Sequence, residues 1–306
     1  MATQHSHTKR PIIWAIGGGK GGVGKSVVSI LLSLALARSG QKTVLADLDL
    51  GGANLHTMMG VKSPSRTLND FITRKYEDIE QACIRTHVKN LALICGASEI
   101  LSMANPQYTQ KNRMLQSLRS IKADHVVLDL GAGTSFNVLD FIIIADNPIV
   151  VHTPQPISIQ NAYSFIRNAV FRKLSRLTAK HPELYKLINT SMDPQNNHDI
   201  RTISDLEKEV CRTHGKKIAS QLIASIARFR PILITNMVRN ERDGNASKII
   251  SLVAEKYLMV NAQGIGVIEY DLLIEELISK MLPISDLPKY CRSCVNTEAF
   301  VQKLSR

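Results

Sequence analysis

The chain has 306 residues, a net charge of +12 and a hydrophobic fraction of 44%, which suits one large or two small domains with a sizeable core. Its five cysteines are an odd number, and this excludes a disulfide-stapled scaffold and favours a reducing compartment. No stretch reaches the roughly 18 apolar residues of a membrane span, and the polar first ten residues lack the apolar core of a signal peptide.

The predicted elements alternate between short apolar strands and helices. After a tail predicted to be disordered over 1–10, we expect strands near 12–16, 43–48, 91–95, 125–130, 148–153, 231–236 and 264–268, and helices near 26–38, 111–121, 141–145 and 158–171. The alternation predicts an α/β fold with a mostly parallel, twisted sheet flanked by helices, as one domain over 11–306. At about 173–230 the rhythm changes, and a long helical pattern over 203–227 predicts an inserted helical segment.

A glycine-rich run, GGGKGGVGKS at residues 17–26, lies between the first predicted strand and the first predicted helix. It contains the P-loop pattern G-x-x-x-x-G-K-[ST], in which backbone N–H groups surround phosphates. The lysine of such a loop reaches the outer phosphates and the hydroxyl binds Mg²⁺. The sequence therefore predicts a P-loop NTPase whose nucleotide site is formed by Gly19, Lys20, Gly21, Gly22, Val23, Gly24, Lys25, Ser26 and Val27.

Three aspartates are the acidic candidates for this chemistry. Asp47 and Asp49 end the second predicted strand at a spacing of two, which points both side chains the same way. Asp129 ends the apolar run VVLDL, the form of a Walker B strand, whose aspartate holds Mg²⁺ or its bound water. The carboxyl edge of a parallel sheet is where ligands bind, so we expect these side chains to face the nucleotide crevice.

Lys20 is a second lysine that ordinary phosphate binding does not need. With it, the loop resembles the deviant Walker A motif of the MinD/ParA ATPases, in which this lysine reaches across a dimer to the partner's nucleotide. The resemblance implies an ATPase, with ATP and Mg²⁺ as cofactors, that closes as an ATP-dependent homodimer. It also implies catalytic roles for Lys20 and Lys25.

The segment DLDLGGANLHTMMG at 47–60 resembles switch I of the MinD family and of its flagellar-number branch, the FlhG- or FleN-like regulators. The shared form is D-x-D-x-G-x-x-N. The resemblance implies that Asp49 orients the attacking water, that Asp47 supports Mg²⁺, and that Asn54 belongs to the switch.

The segment beginning LDLGAGTSFN resembles switch II, with Asp129, Gly131 and Gly133 matching, and implies a metal role for Asp129 beside Ser26. The tetrapeptide at 153–156 carries Gln where the family usually has Glu. The run ITNMV fits the strand whose asparagine, here Asn236, contacts the adenine edge. The resemblance is close over residues 11–170 and loose over 231–306.

The implied function is that of a dimerising molecular switch, which binds and hydrolyses ATP to control the position or number of a structure such as a flagellum or a division site. Its turnover is expected to be slow alone and faster with an activating protein partner. The expected location is the cytoplasm, including a peripheral place at the inner face of the cell membrane.

Two other functions stay open. The excess positive charge, concentrated at 173–230, favours a ParA-like partition ATPase that contacts DNA non-specifically. The C-x-x-C pair Cys291 and Cys294 favours an iron–sulfur carrier ATPase, although one pair supplies too few ligands unless two chains meet. The C-terminal TEAFVQKLSR offers only a thin apolar face for a membrane, and we expect Phe300 and Val301 to pack against the protein instead.

Overall fold

The computed structural model of the protein describes residues 10–49, 52–96, 108–193 and 200–304. The tail predicted to be disordered therefore lies, apart from Arg10, outside the described residues. Eight strands form a mostly parallel sheet flanked by helices, which confirms the predicted α/β class. The strands are β1 (Ile12–Gly17), β2 (Thr43–Leu48), β3 (Cys83–Arg85), β4 (Leu91–Ile94), β5 (His125–Leu130), β6 (Asn147–His152), β7 (Ile232–Val238) and β8 (Gln263–Glu269).

Twelve α-helices are described, several of them longer than their patterns predicted. They are α1 (Lys25–Arg38), α2 (Leu55–Met58), α3 (Leu68–Ile72), α4 (Tyr108–Ser120), α5 (Phe136–Ile144), α6 (Pro156–Thr178), α7 (Pro182–Ser191), α8 (Ile203–His214), α9 (Lys216–Ala227), α10 (Ala246–Leu258), α11 (Leu272–Ser279) and α12 (Arg292–Leu304). Within the described ranges, none of them combines the length and the apolar character that crossing a bilayer requires.

The residues group into two compact units. The first consists of the described residues within 1–16, 26–131 and 271–306, and its strands run in the order β3-β4-β2-β5-β1. Pairing is parallel from β4 to β1, whereas the edge strand β3 is antiparallel to β4. The predicted strands of this unit read as continuous apolar runs because parallel strands covered by helices are buried on both faces.

The second unit consists of 17–25 and 132–270, with β6, β7 and β8 in parallel order. It contains the predicted insertion, whose boundaries stay a prediction, as does the single-domain assignment. The expected helix at 158–171 starts at Pro156, a residue whose fixed φ suits a first helical turn, and continues without a break to Thr178.

The helical pattern predicted over 203–227 forms two helices, α8 and α9, and not one continuous helix. Gly215 separates them with a φ of +89°, a left-handed conformation that ends a helix and that glycine adopts without steric cost. The apolar spacing continues across the break, with Val210 buried in α8 and Ala219 and Leu222 in α9. The apolar periodicity alone therefore indicated one continuous helical pattern, although Gly215 separates two helices.

Candidate nucleotide site

The P-loop follows β1 and leads into α1, as its sequence pattern predicts. Its glycines allow close approach of other backbone segments. A Cβ on Gly19 would lie 2.3 Å from the carbonyl oxygen of Asn161 in α6, and a Cβ on Gly24 would lie 2.2 Å from Nδ2 of Asn236. Side chains at either position would displace these neighbours, so the loop's shape depends on glycine at both.

Asn236, on β7, has a contact that the sequence did not suggest. Its side chain is buried, and its Nδ2 donates a 2.9 Å hydrogen bond to the carbonyl oxygen of Val23 in the P-loop. The bond joins residues 213 positions apart. It fixes the peptide group between Val23 and Gly24, just before Lys25 and Ser26 at the end of the P-loop motif. Contact of Asn236 with adenine stays a prediction, and the observed role is to hold the loop.

The two lysines of the loop differ in exposure. Lys25 is 9% exposed, as expected of a side chain that lies along the loop. Lys20 is exposed, and in the part of the chain that the structure describes it has no hydrogen bond or ion pair. An exposed cation without a hydrogen bond or ion pair among the described residues is available to a ligand or to a second chain.

Asp47 and Asp129 face each other on neighbouring strands. They are register partners on β2 and β5, and both are almost completely buried. Asp47 accepts two backbone hydrogen bonds of 3.1 Å, from the N–H groups of Asp49 and Leu55. Asp129 accepts a 2.9 Å hydrogen bond from the hydroxyl of Ser29, one turn along α1 from Ser26.

This pair of carboxylates is electrostatically strained. Burial, and then the negative charge of Asp129, raise the pKa of Asp47 to about 7. The carboxylate oxygens lie at the carboxyl ends of two neighbouring strands, and the hydroxyl of Ser29 on α1 contacts one of them. Oxygen donors of this kind are the ligands that Mg²⁺ prefers. The donor set therefore fits the ion, which would relieve the repulsion that now raises this pKa.

Asp49 lies one residue beyond β2 and not within it, which corrects the prediction that both aspartates end the strand. Its carboxylate lies beside two glycines. A Cβ on Gly131 would be 3.0 Å from its Oδ1, and a Cβ on Gly52 would be 3.5 Å from its Oδ2. Asp49 is thus placed against the start of the predicted switch II, and its role with water stays a prediction.

The remaining predicted switch residues occupy loops. Asn54 is exposed and precedes α2, but its side chain makes no capping hydrogen bond. The N–H of Gly133 donates to the carbonyl of Gly18 at 3.3 Å, so the predicted switch II contacts the P-loop backbone.

Two further residues of the site were not identified from the sequence. Ser29 holds Asp129, and a Cβ on Gly96 would lie 3.1 Å from Cγ of Asp47.

The basic segment at 173–230 is partly occupied by structural contacts. Arg172, just before it, binds both oxygens of the buried Asp140 at 2.9 Å, and Arg176 binds the same carboxylate at 3.3 Å. Arg212 pairs with Glu209 on α8. The exposed lysines of the segment that have no ion pair within the described ranges are Lys180, Lys186, Lys208, Lys216 and Lys217.

The C-terminal helix packs as expected. Phe300 and Val301 on α12 are buried, so their apolar face is not available to a membrane. Cys291 and Cys294 are also buried, each 3% exposed. Within the described residues, no group of three or more His, Cys, Asp or Glu side chains gathers as a metal cluster.

A parallel sheet, a glycine loop between β1 and α1, and paired aspartates at the ends of β2 and β5 define a P-loop NTPase. Comparison with known families agrees. The ParA family model described as "NUBPL iron-transfer P-loop NTPase" matches residues 10–175, more than half of the chain. The chain belongs to the ParA/MinD family of P-loop NTPases, whose members bind nucleotide.

Two curated relatives have names that refer to flagella or to an antiactivator. The antiactivator FleN of Pseudomonas aeruginosa is 27% identical over 293 residues, which cover 95% of this chain and 85% of that protein. The flagellum site-determining protein YlxH of Helicobacter pylori is 36% identical over 160 residues, about half of each chain (50% and 52%). Among solved structures, the cell division ATPase MinD of Pyrococcus furiosus covers 96% of this chain with a TM-score of 0.65 and 18% identity, which shows the shared fold.

Proposed function

We propose that this protein is an ATP-dependent dimerising switch that binds Mg-ATP, hydrolyses it, and dissociates. The observation that carries the proposal is that Lys20 is exposed and, among the residues that the structure describes, has no hydrogen bond or ion pair, whereas Lys25 of the same P-loop is buried. One lysine then serves the nucleotide of its own chain and the other the nucleotide of the partner. A cation directed at phosphate charge from a second chain makes hydrolysis depend on the dimer.

The chain's own groups divide the chemistry. Backbone N–H groups of the P-loop and the dipole of α1 bind the phosphates, and Lys25 neutralises the outer ones. Ser26, Asp47 and Asp129 would hold Mg²⁺, which supplies charge neutralisation on the β- and γ-phosphates. Asp49 would accept a hydrogen bond from the attacking water and orient it in line with the γ-phosphate.

The relatives suggest the biological task. Their printed names describe an antiactivator, a flagellum site-determining protein and septum site-determining proteins. We therefore assign this chain to the control of the position or number of a cellular structure. An activating protein partner would set the lifetime of its dimer, which would act in the cytoplasm or at the inner face of the membrane.

The test is hydrolysis of Mg-ATP by wild type and by Lys20→Ala, Lys25→Ala and Asp49→Ala, with binding of a fluorescent ATP analogue measured in parallel. Lys25→Ala should lose binding. Lys20→Ala should bind nucleotide as the wild-type monomer does but lose about a hundredfold or more in kcat, the size of effect expected for a charge directed at the transition state. The control is Lys62→Ala, another exposed lysine. Wild-type kcat in Lys20→Ala would overturn the proposal.

A second candidate, non-specific DNA contact, has an observation of its own. Lys216 and Lys217 open α9 with no acidic residue in its first turn, although a helix dipole disfavours cations there. Binding of duplex DNA that weakens steeply with salt and weakens further in Lys216→Glu/Lys217→Glu would support this candidate. Binding unaffected by the double variant would remove it.

A further inference from the structure

Cys291 and Cys294 lie at the N-terminal end of α12. Cys291 immediately precedes the helix, and its Sγ accepts a 3.2 Å hydrogen bond from the backbone N–H of Cys294. The thiol of Cys294 also donates to the sulfur of Cys291. The C-x-x-C spacing at the start of the helix thus places both cysteines at the same helix end.

The surroundings of the pair distinguish its two members. The hydrogen bond from the Cys294 thiol, with a further bond from the backbone N–H of Cys294, lowers the pKa of Cys291 to about 6, against the opposing effects of burial and of Asp271. The same bond, together with burial, raises the pKa of Cys294, although Arg38 opposes this from 3.7 Å. The lowered pKa favours the thiolate form at Cys291, and the raised pKa favours the thiol form at Cys294.

The pair is also linked to the helix that follows the P-loop. Arg38, the last residue of α1, donates through Nη1 to Sγ of Cys294 and through Nη2 to the carbonyl of Leu287 at 2.9 Å. Ser293, between the cysteines, donates its hydroxyl to Asp271 at 2.9 Å. A change in the sulfur atoms would alter the contact that ends α1.

We propose that Cys291 and Cys294 form a reversible dithiol–disulfide site that is oxidised by small hydroperoxides. The Cys291 thiolate attacks one oxygen of hydrogen peroxide, the O–O bond breaks, and the sulfur becomes a sulfenic acid with release of hydroxide, which is protonated to water. The sulfur of Cys294 then attacks Cys291, and the sulfenic hydroxyl leaves as a second water. The two thiols lose two electrons, and the peroxide gains them.

This site differs from an iron–sulfur ligand pair, because its chemistry is complete within one chain. Because both cysteines are buried, a small oxidant such as hydrogen peroxide, which is little larger than water, can reach them more easily than a bulky disulfide can. The other cysteines provide internal comparisons. Cys211 is exposed. Burial and the charge of Glu80 raise the pKa of the Cys83 thiol to about 12, and burial and the charge of Asp47 do the same for Cys95. These raised pKa values disfavour the thiolate form of both cysteines.

The experiment treats reduced full-length protein with graded hydrogen peroxide, traps free thiols with a maleimide, and maps the peptides by mass spectrometry. The expected product is one disulfide joining Cys291 to Cys294, formed at a peroxide dose that leaves Cys83 and Cys95 reduced and reversed by dithiothreitol. Retention of both thiols at a dose that oxidises Cys211 would overturn the proposal, as would oxidation of the two cysteines independently of each other.

Two variants separate the roles of the cysteines. Cys294→Ser should leave a sulfenic acid on Cys291 that dimedone labels, whereas wild type should show little label because Cys294 resolves the intermediate. Cys211→Ser is the matched control and should form the disulfide as wild type does. Equal dimedone labelling of Cys291 in wild type and in Cys294→Ser would contradict the proposed resolving step. The peptide map of wild type decides the central claim even if a variant folds poorly.

Discussion

Asp47 and Asp129 are register partners at the carboxyl ends of two adjacent strands, and both are buried. Two carboxylates in this position repel each other, which contributes to the raised pKa of Asp47. Without a cation, two buried carboxylates side by side are unfavourable, and neutralising either one would relieve the repulsion. A bound cation such as Mg²⁺ turns the same pair into a favourable set of ligands. The pair would thus link the stability of the chain to the binding of a metal ion.

We predict that Asp129→Asn keeps the metal-free fold at least as stable as wild type but weakens Mg²⁺-dependent nucleotide binding. Asparagine can still accept the Ser29 hydrogen bond through its oxygen, while the charge that opposes ionisation of Asp47 disappears. Urea unfolding with EDTA, and nucleotide titration with and without Mg²⁺, measure the two effects. The exposed Glu77→Gln serves as the control. A strong loss of metal-free stability would show that the carboxylate is structural.

The contact of Asn236 with the P-loop predicts non-additive effects. Asn236→Ala should weaken nucleotide binding and lower the free energy of unfolding by about 1–2 kcal/mol, the cost of leaving a buried carbonyl without its partner. Gly24→Ala should cost more, because its Cβ would collide with Nδ2 of Asn236. In the double variant that collision is gone, so its loss should be smaller than the sum of the single losses. Strict additivity would contradict the proposed packing.

The buried Asp140 should be a major determinant of stability. Its carboxylate is 1% exposed and binds Arg172 and Arg176, so Asp140→Ala leaves two guanidinium groups without their counter-ion. We expect a loss of about 3 kcal/mol in the free energy of unfolding. Glu209→Ala, which removes the solvent-facing pair with Arg212, should have a much smaller effect. Similar losses in both variants would show that burial does not decide the effect.

His152 should make the protein sensitive to mild acid. Burial lowers its pKa below 6.5, and its ring contacts the hydroxyl of Ser247 at 3.0 Å and the carbonyl of Thr153 at 3.2 Å. Below about pH 6.5 the unfolded chain binds a proton at this histidine that the folded chain does not, so the free energy of unfolding falls as the pH falls. In His152→Gln the fall between about pH 7.5 and pH 5.5 should be shallower. An unchanged pH dependence would exclude His152 as a contributor.

The sequence predicted those parts of the site that local pattern encodes. The P-loop, its position between β1 and α1, and the positions of Asp47 near the end of β2 and of Asp129 near the end of β5 depend on short-range order, and the structure has them there. The bond between Asn236 and Val23 and the bond between Ser29 and Asp129 depend on how distant segments pack. Nothing in the sequence around Asn236 indicated that its side chain would bind the P-loop backbone at Val23.

The predicted elements lacked β3 and the break at Gly215, and these two differences have different causes. β3, with three residues, is too short for an alternating pattern to emerge, and its antiparallel pairing with β4 is decided by tertiary contacts. The break at Gly215 had a visible signal, because glycine after a basic last turn is a common helix end. The apolar periodicity on both sides outweighed that signal.

The measurement that tests the central claim most directly is the molar mass of the protein by light scattering after gel filtration, with ADP and with ATP. The account predicts a monomer with ADP, a dimer with ATP, and a persistent dimer for Asp49→Ala, which binds ATP but does not hydrolyse it. Lys20→Ala should remain monomeric with either nucleotide. A wild-type mass that does not depend on the nucleotide would contradict the dimerising switch.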